Sequence, residues 1–489
     1  MTLKKIPMPI LTIALTAIFA TAILAPMSIS NAYAHGYEGE DVLSAYADNA
    51  NVKRFTLIAD ESNSGTLLPT GDAVFTMSFN GTIPAPVIRV TQGDVVEITL
   101  INNGDEPHSI DQHASQITAV PNFGAVQPGE TKTYTFVAAN AGVFAYHCEA
   151  NDVHELDEHA LLGMEGMLIV DPKKGYDKLK TDSVVPLAVD MNVDSNKKTF
   201  DGPAREFSLL YSEVYYTNEL TDEEGTDSPV HVYDKSKMMH NDPTYTTVNG
   251  IPFGYLGPLL SLPVWQDLSL DDVIPGDFLL DCTIPALCSD VDGDGTLENN
   301  PPLAVTTIPG LAGTGLDGAF GSGSITAHLD ANMGDHVRFF VQNTGDRPVA
   351  WHIVGEQLDR VTMGENVMTT SPIQTWNIGS YQDATIDVVF EQPGVYAIVN
   401  HDYSSLFKGQ ASIVIVHNPA IDPNSCASDD LVCNVIAGAA VENPSNAVPP
   451  ASGLHQTSMP QNICKYGIGS ETANTFTSEC YALDIQNPQ

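Results

Sequence analysis

Three short motifs occur twice in this chain, in the same order, and this repetition constrains the fold more than any other feature. Phe79-Asn-Gly-Thr-Ile-Pro is echoed by Val248-Asn-Gly-Ile-Pro. Gly93-Asp94, a strand-like run and Asn103-Gly-Asp-Glu-Pro are echoed by Gly334-Asp335, another such run and Asn343-Thr-Gly-Asp-Arg-Pro. Gly142-Val-Phe-Ala-Tyr-His is echoed by Gly394-Val-Tyr-Ala-Ile-Val-Asn-His. The order points to a duplicated domain. Around these motifs, runs of Val, Ile, Thr and Phe are cut by Gly, Pro and Asn. Val87-Ile-Arg-Val, Val95-Val-Glu-Ile-Thr-Leu-Ile, Lys132 to Val137 and Met167 to Val170 read as strands, and long helical periodicity is missing. The expected class is all-β, with two Greek-key β-sandwich domains.

The repeat also locates an insertion. Asn80 and Asn249 are 169 residues apart, whereas Gly93 and Gly334 are 241 apart, so about 72 extra residues fall between about Phe253 and Ser322. The organisation that follows is an export signal at 1–34 and an N-terminal segment at 35–51. A first sandwich spans 52–172, a linker 173–204, and a second sandwich 205–418 with the insertion at about 253–322. A cysteine-rich tail occupies 419–489.

The first residues read as a signal for export to the periplasm or beyond. Lys4 and Lys5 precede an apolar run from Ile10 to Leu24, and Ala32-Tyr33-Ala34 is a small-residue cleavage site. The alternative is an uncleaved anchor. No later stretch is long and apolar enough to span a bilayer. Net charge is −41, which excludes general nucleic-acid binding by phosphate neutralisation. Such a field favours solubility and attracts basic partners.

Seven cysteines make an odd number. Six form close sequence pairs, Cys282 with Cys288, Cys426 with Cys433 and Cys464 with Cys480, and read as three disulfides in an oxidising compartment. Cys148 is left over, and its neighbours explain it. His108, His147-Cys148, His159 and Met164 together offer two imidazoles, a thiolate and a thioether, the donor set of a copper electron-transfer site. His154 competes with His159, and Met167 competes with Met164.

Strand parity suggests a second site. Adjacent side chains on a strand point to opposite faces, so His147 faces away from Cys148. His108 and His113 are an odd number of residues apart and oppose in the same way. His113 and His147 then face outward together, and the repeat offers His401 at the position matching His147.

At these residues the chain resembles the two-domain copper nitrite reductases, of the cupredoxin and multicopper oxidase superfamily. The resemblance rests on Phe79-Asn-Gly-Thr-Ile-Pro-Ala-Pro, Pro107-His-Ser-Ile-Asp-Gln-His113, Val143-Phe-Ala-Tyr-His-Cys148, His159-Ala-Leu-Leu-Gly-Met164, His352-Ile-Val-Gly and Pro393-Gly-Val-Tyr-Ala-Ile-Val-Asn-His401. It implies cupredoxin-like domains, with type 1 copper at His108, Cys148, His159 and Met164. It also implies type 2 copper at His113 and His147 of one subunit and His401 of the next, hence a homotrimer. Asp111 and His352 become the catalytic pair. The implied reaction converts nitrite, one electron and two protons to nitric oxide and water. Electrons enter at type 1 copper from a small donor protein, a cupredoxin or a cytochrome, with a basic surface suiting the charge. The loop from Cys148 to His159 is longer than in the family and acidic, and the insertion and tail are departures.

Three other activities fit part of the pattern. A copper oxidoreductase acting on hydroxylamine or nitric oxide would carry the same metal residues. A multicopper oxidase would need paired His-x-His motifs, which none of the fourteen histidines forms. A type 1 copper electron carrier would leave Asp111, His113, His352 and His401 unexplained. Asp290-Val-Asp-Gly-Asp-Gly reads either as a calcium loop with Asp290, Asp292 and Asp294 as ligands or as a solvated acidic turn, since its twelfth position is Pro301. His231, His240, His328, His336, His417 and His455 read as ordinary surface or core histidines. Asn80-Gly-Thr82 matches a glycosylation sequon but coincides with a repeated structural motif.

Overall fold

The structure is a computed structural model describing residues 52–61, 66–67, 73–81, 83–117, 124–149, 156–182, 197–221, 229–250, 288–289, 298–299, 328–369, 372–427, 430–440 and 453–455. The expected export signal, the Asp290 loop, His154, and the cysteines other than Cys148, Cys288, Cys426 and Cys433 lie outside them. Among the described residues, no helix is long and apolar enough to cross a membrane.

Two β-sandwiches are present. In the first, a four-stranded sheet runs in the order Met77–Phe79, Val52–Glu61, Val95–Asn102, Thr131–Val137. Its two long strands pair in parallel, with Leu57 opposite Leu100. Facing it is a sheet ordered Gly453–His455, Val87–Thr91, Glu165–Asp171, Gly142–His147, Asp111–Gln112. The alternation of Val95–Asn102 puts Val96, Ile98 and Leu100 into the core between the sheets.

The second sandwich repeats the plan with a six-stranded sheet, Tyr245–Val248, Arg205–Val214, His336–Asn343, Asp383–Val389, Arg360–Met363, Asn366–Thr369. Opposite it lie His328–Asn332, Ala411–His417, Gly394–Asn400, Val349–Ile353 and Thr375–Ile378. Trp351, Phe339 and Ile398 fill its core.

The duplication extends to individual hydrogen bonds. Asn80 and Asn249 both sit at positive φ, 59° and 52°. Their side-chain oxygens each accept a backbone N–H at 2.7 Å, from Ile58 and Leu210. Asn80 is 3% exposed and its amide is committed, so the sequon residue serves the fold. Asn102 and Asn343 donate to the carbonyls of Glu106 and Arg347, at 2.6 and 2.8 Å, closing equivalent turns. Glu61 and Glu213 accept the amides of those turns, at Asp105 and Glu106, and at Asp346 and Arg347.

The sandwiches meet over a mixed apolar and ionic joint. Val87, Val143, Met167 and Ile169 of the first pack on Leu210 and Phe340 of the second. Beside them, Arg89 pairs with Asp171 at 2.8 Å and with Glu206 at 2.7 Å. Arg338 bonds Asp387 at 3.0 Å, and Arg360 bonds it at 2.6 Å. His336 Nε2 adds a third partner at 2.7 Å. Burial opposes the charged form of Asp387, yet His336, Arg338 and Arg360 outweigh it and hold its pKa down to about 2.

In the tail, Cys426 and Cys433 form a disulfide, Cα–Cα 5.6 Å, as neighbour pairing predicts. Farther on, Gly453–His455 adds an antiparallel edge strand to Val87–Thr91 of the first sandwich.

Candidate metal centres

Cys148 follows directly on the Gly142–His147 strand, and the helix Leu156–Leu161 carries His159. The loop then closes on itself: Met164 N donates to His159 O at 3.1 Å, and Cys148 N donates to Met164 O at 2.9 Å. Gly163 makes the closure possible at φ +124°, since a Cβ there would lie 2.6 Å from Ile83 Cδ1 and 2.8 Å from the Met77 carbonyl. His108 enters from the other side, held by reciprocal backbone bonds with Val126.

These elements bring three donor atoms together. His108 Nδ1 and His159 Nδ1 are 3.2 Å apart, and Cys148 Sγ is 3.7 Å from the first and 3.5 Å from the second. One point lies about 2 Å from all three, the length of an ordinary metal–imidazole bond. All three side chains are buried, as is Met164, which shares their core. Met167 packs instead in the joint between the sandwiches, on the opposite face of its strand. The donor chemistry, two imidazoles and a thiol with a thioether in the same core, fits copper.

Carboxylates back both rings. Glu61 Oε1 is 2.7 Å from His108 Nε2, and Glu106 Oε2 is 3.4 Å from His159 Nε2. With Nε2 turned to a carboxylate, each ring keeps Nδ1 for the centre. Ser109 N donates to Cys148 Sγ at 3.4 Å, and the Ser109 hydroxyl clamps the Glu149 backbone on both its N–H and its carbonyl. Burial opposes ionisation of Cys148, but His108 and His159 outweigh it and bring the thiol down to about 6. Burial likewise opposes the charged form of His108, while Cys148 and Glu61 together lift it to about 9.

A second cluster lies across the strand. Asp111 pairs with His147 in register, and His113 N donates to Ala145 O at 2.9 Å. His113 Nε2 and His147 Nε2 approach to 3.1 Å, with Asp111 Oδ2 at 3.7 and 3.9 Å from them. His147 Nδ1 donates to the Cys148 carbonyl at 3.0 Å, which leaves Nε2 as the free lone pair. Burial lowers the His147 pKa and keeps the ring neutral, the state a ligand needs. Glu149 lies against Asp111; burial and that neighbouring carboxyl push its pKa up. The Tyr381 ring, from the second sandwich, covers both imidazoles at centroid distances of 5.7 and 5.2 Å.

His352 and His401 form a separate pair on the second sandwich, ring centroids 4.7 Å apart. His352 Nδ1 donates to the Gln374 carbonyl at 2.5 Å. Asn400 fixes the approach to His401: its side-chain oxygen accepts from Ala350 N and Asp402 N, both at 2.9 Å. His401 is exposed, and Tyr403 stands edge-on to it at 5.8 Å. Among the described residues, two groups could hold a metal, His108–Cys148–His159 and Asp111–His113–His147. Neither contains His352 or His401 of the same chain.

Glu61, Glu149 and Tyr381 join these sites without having been singled out in the sequence. The duplicated fold gives Glu61 a counterpart in Glu213, which accepts the amides of the equivalent turn.

The multicopper oxidase family model matches residues 63–175. A copper-containing nitrite reductase of Neisseria meningitidis is 23% identical over 354 residues, covering 70% of this chain and 65% of its own length. This chain thus spans about two thirds, 65%, of that relative. The copper-containing nitrite reductase of Cereibacter sphaeroides is 28% identical over 351 residues, 70% of each chain. Among solved structures, a copper nitrite reductase from Nitrosomonas europaea aligns at 26% identity with a TM-score of 0.49, covering 79% of this chain and 99% of the other. In sequence, then, the chain is similar to copper-containing nitrite reductases over about 70% of its length, and residues 63–175 match the multicopper oxidase model.

Proposed function

We propose that the chain is a copper-dependent nitrite reductase forming nitric oxide. One observation carries this reading: His147 and Cys148, consecutive in sequence, belong to two different clusters on opposite faces of one strand end. A thiolate site and an imidazole–carboxylate site are then joined through a single peptide bond, a short covalent path for an electron. Copper, when bound, would supply one-electron exchange at the first cluster and a Lewis-acid position for nitrite at the second.

On this reading His108, Cys148, His159 and Met164 hold type 1 copper. His113 and His147 hold type 2 copper with His401 of a neighbouring copy, so the working unit is a homotrimer. Three neutral imidazoles leave a position open for substrate. The Asp111 carboxyl, beside both Nε2 atoms, hydrogen-bonds the substrate and delivers a proton. His352, its Nδ1–H engaged by Gln374, keeps Nε2 to relay a second proton. The protein is exported and takes electrons from a small cupredoxin or cytochrome, drawn by the net charge of −41.

Copper quantification with electron paramagnetic resonance tests this. Equal type 1 and type 2 signals, the second changing on addition of nitrite, support it; type 1 alone sinks it in favour of an electron carrier. His401→Ala is expected to lose the type 2 signal and keep the visible colour. Retention of both would rule out the inter-subunit ligand.

A further inference from the structure

Tyr381 occupies the turn between the strands Thr375–Ile378 and Asp383–Val389, at φ +52°. A bulky side chain in the left-handed region is an outlier, and such outliers gather where the surrounding structure demands a particular placement. The turn itself is closed by other groups. Gln382 N donates to Gly379 O at 3.1 Å, and the Gln382 side-chain oxygen accepts from Gly379 N at 3.2 Å. Tyrosine is therefore not required to make the turn, and glycine would adopt the same backbone more easily.

The backbone conformation determines where the ring goes. It crosses from the second sandwich to the first and meets His113 at 5.7 Å with a 33° tilt, and His147 at 5.2 Å, nearly edge-on at 68°. The two imidazoles are themselves edge-on, 5.1 Å apart at 78°. Three rings thus form a closed triangle, each side within the range of favourable aromatic contact. Within the first sandwich the polar contacts of His147 are the Cys148 carbonyl at 3.0 Å, His113 Nε2 at 3.1 Å and Asp111 Oδ2 at 3.9 Å, and Asp111 stands 3.7 Å from His113. The tyrosine ring adds a lateral wall that none of those polar contacts provides.

We infer that Tyr381 is a positioning residue for the two-imidazole half of the second centre. It sets the angle between the His113 and His147 rings, so that both Nε2 atoms converge before any partner subunit contributes a ligand. The inference rests on the reading that these imidazoles hold copper. It adds that the second sandwich of the same chain shapes the half-site, through a residue that coordinates nothing.

The test uses the full chain, Cu(II) alone as probe, and the variants Tyr381→Gly and Tyr381→Phe. Glycine removes the ring and suits the positive φ; phenylalanine keeps the ring and removes the hydroxyl. Read-outs are Cu(II) affinity by competition titration and the type 2 hyperfine splitting, with the type 1 absorption band as internal control. Tyr381→Gly is expected to weaken type 2 copper binding by about tenfold or more and to alter the splitting, with the type 1 band unchanged. Tyr381→Phe should restore both values. Wild-type affinity and splitting in Tyr381→Gly would overturn the inference, as would loss of both coppers together, which would mark a general folding role. Absence of a type 2 signal in the wild type would instead overturn the copper assignment of His113 and His147, and this inference with it.

Discussion

Replacing Glu61 by glutamine removes one buried negative charge behind the first cluster and leaves an oxygen to accept from His108. Glu61 Oε1 is 2.7 Å from His108 Nε2, with side-chain exposures of 6% and 0%. Burial opposes ionisation of Glu61, but His108 and the amides of Asp105 and Glu106 hold its pKa below the ordinary value. A metal bonded to Nδ1 of that ring would feel the carboxylate from roughly 6–7 Å, one ring width and one bond length beyond the 2.7 Å contact. At an effective dielectric of about 20, a unit charge at that range is worth about 2–3 kcal/mol. For a one-electron couple this corresponds to about 100 mV. An anion favours the oxidised, more positive metal, so Glu61→Gln should raise the type 1 reduction potential, by about 50–100 mV once residual screening is allowed for. A redox titration of the visible band measures it. Glu213→Gln is the control, because Glu213 holds the equivalent turn through Asp346 and Arg347. It should lower stability and leave the potential where it was. The reasoning fails if the Glu61→Gln potential falls, or moves by less than about 20 mV, while copper content and the band match wild type.

Asp387→Asn should destabilise the fold by about 3 kcal/mol or more, because Arg338, Arg360 and His336 would lose their shared buried anion; urea unfolding measures this. The folded Asp387 pKa of about 2 lies below its ordinary 3.8, so its stabilisation is complete above about pH 4 and is lost as pH falls towards 2. The difference in unfolding free energy between wild type and Asp387→Asn should therefore shrink across that window, and a constant difference would contradict the assignment. Asn80→Ala should cost about 1–3 kcal/mol by stranding the Ile58 N–H and forcing alanine to φ +59°. Asn80→Gly should cost less, since only the hydrogen bond is lost; equal melting temperatures for the two variants would argue against backbone strain at this site.

The strands were legible where one face is apolar and the other polar. Val95–Asn102 alternates cleanly, and its expected and observed limits differ by one residue. The His336–Asn343 strand reads differently, because all eight of its residues are buried. Phe339 faces its own core while Phe340 faces the other sandwich, and a single sequence does not announce that second covered face. The candidate donors His108, Cys148, His159 and Met164 were legible because an imidazole, a thiol, a second imidazole and a thioether in that order have few other uses. Glu61 was not, since a glutamate ending a strand looks like a solvated terminus and its imidazole partner is 47 residues away. Tyr381 was hidden for another reason: Gly379-Ser-Tyr-Gln-Asp reads as a polar turn, and the sign of φ at its centre is not written in residue type.

The joint between the sandwiches has a consequence for how this protein tolerates its medium. The chain has six arginines, and three of them, Arg89, Arg338 and Arg360, are buried there against Asp171, Glu206 and Asp387. The joint is balanced in charge, whereas the exterior has given up half of its arginines and is left more uniformly acidic than composition alone suggests. Salt relaxes repulsion across such an exterior, but the buried pairs are largely beyond its reach. Changing ionic strength would then retune encounters with charged partners while the two sandwiches, and the Tyr381 ring that reaches between them, keep their relative orientation.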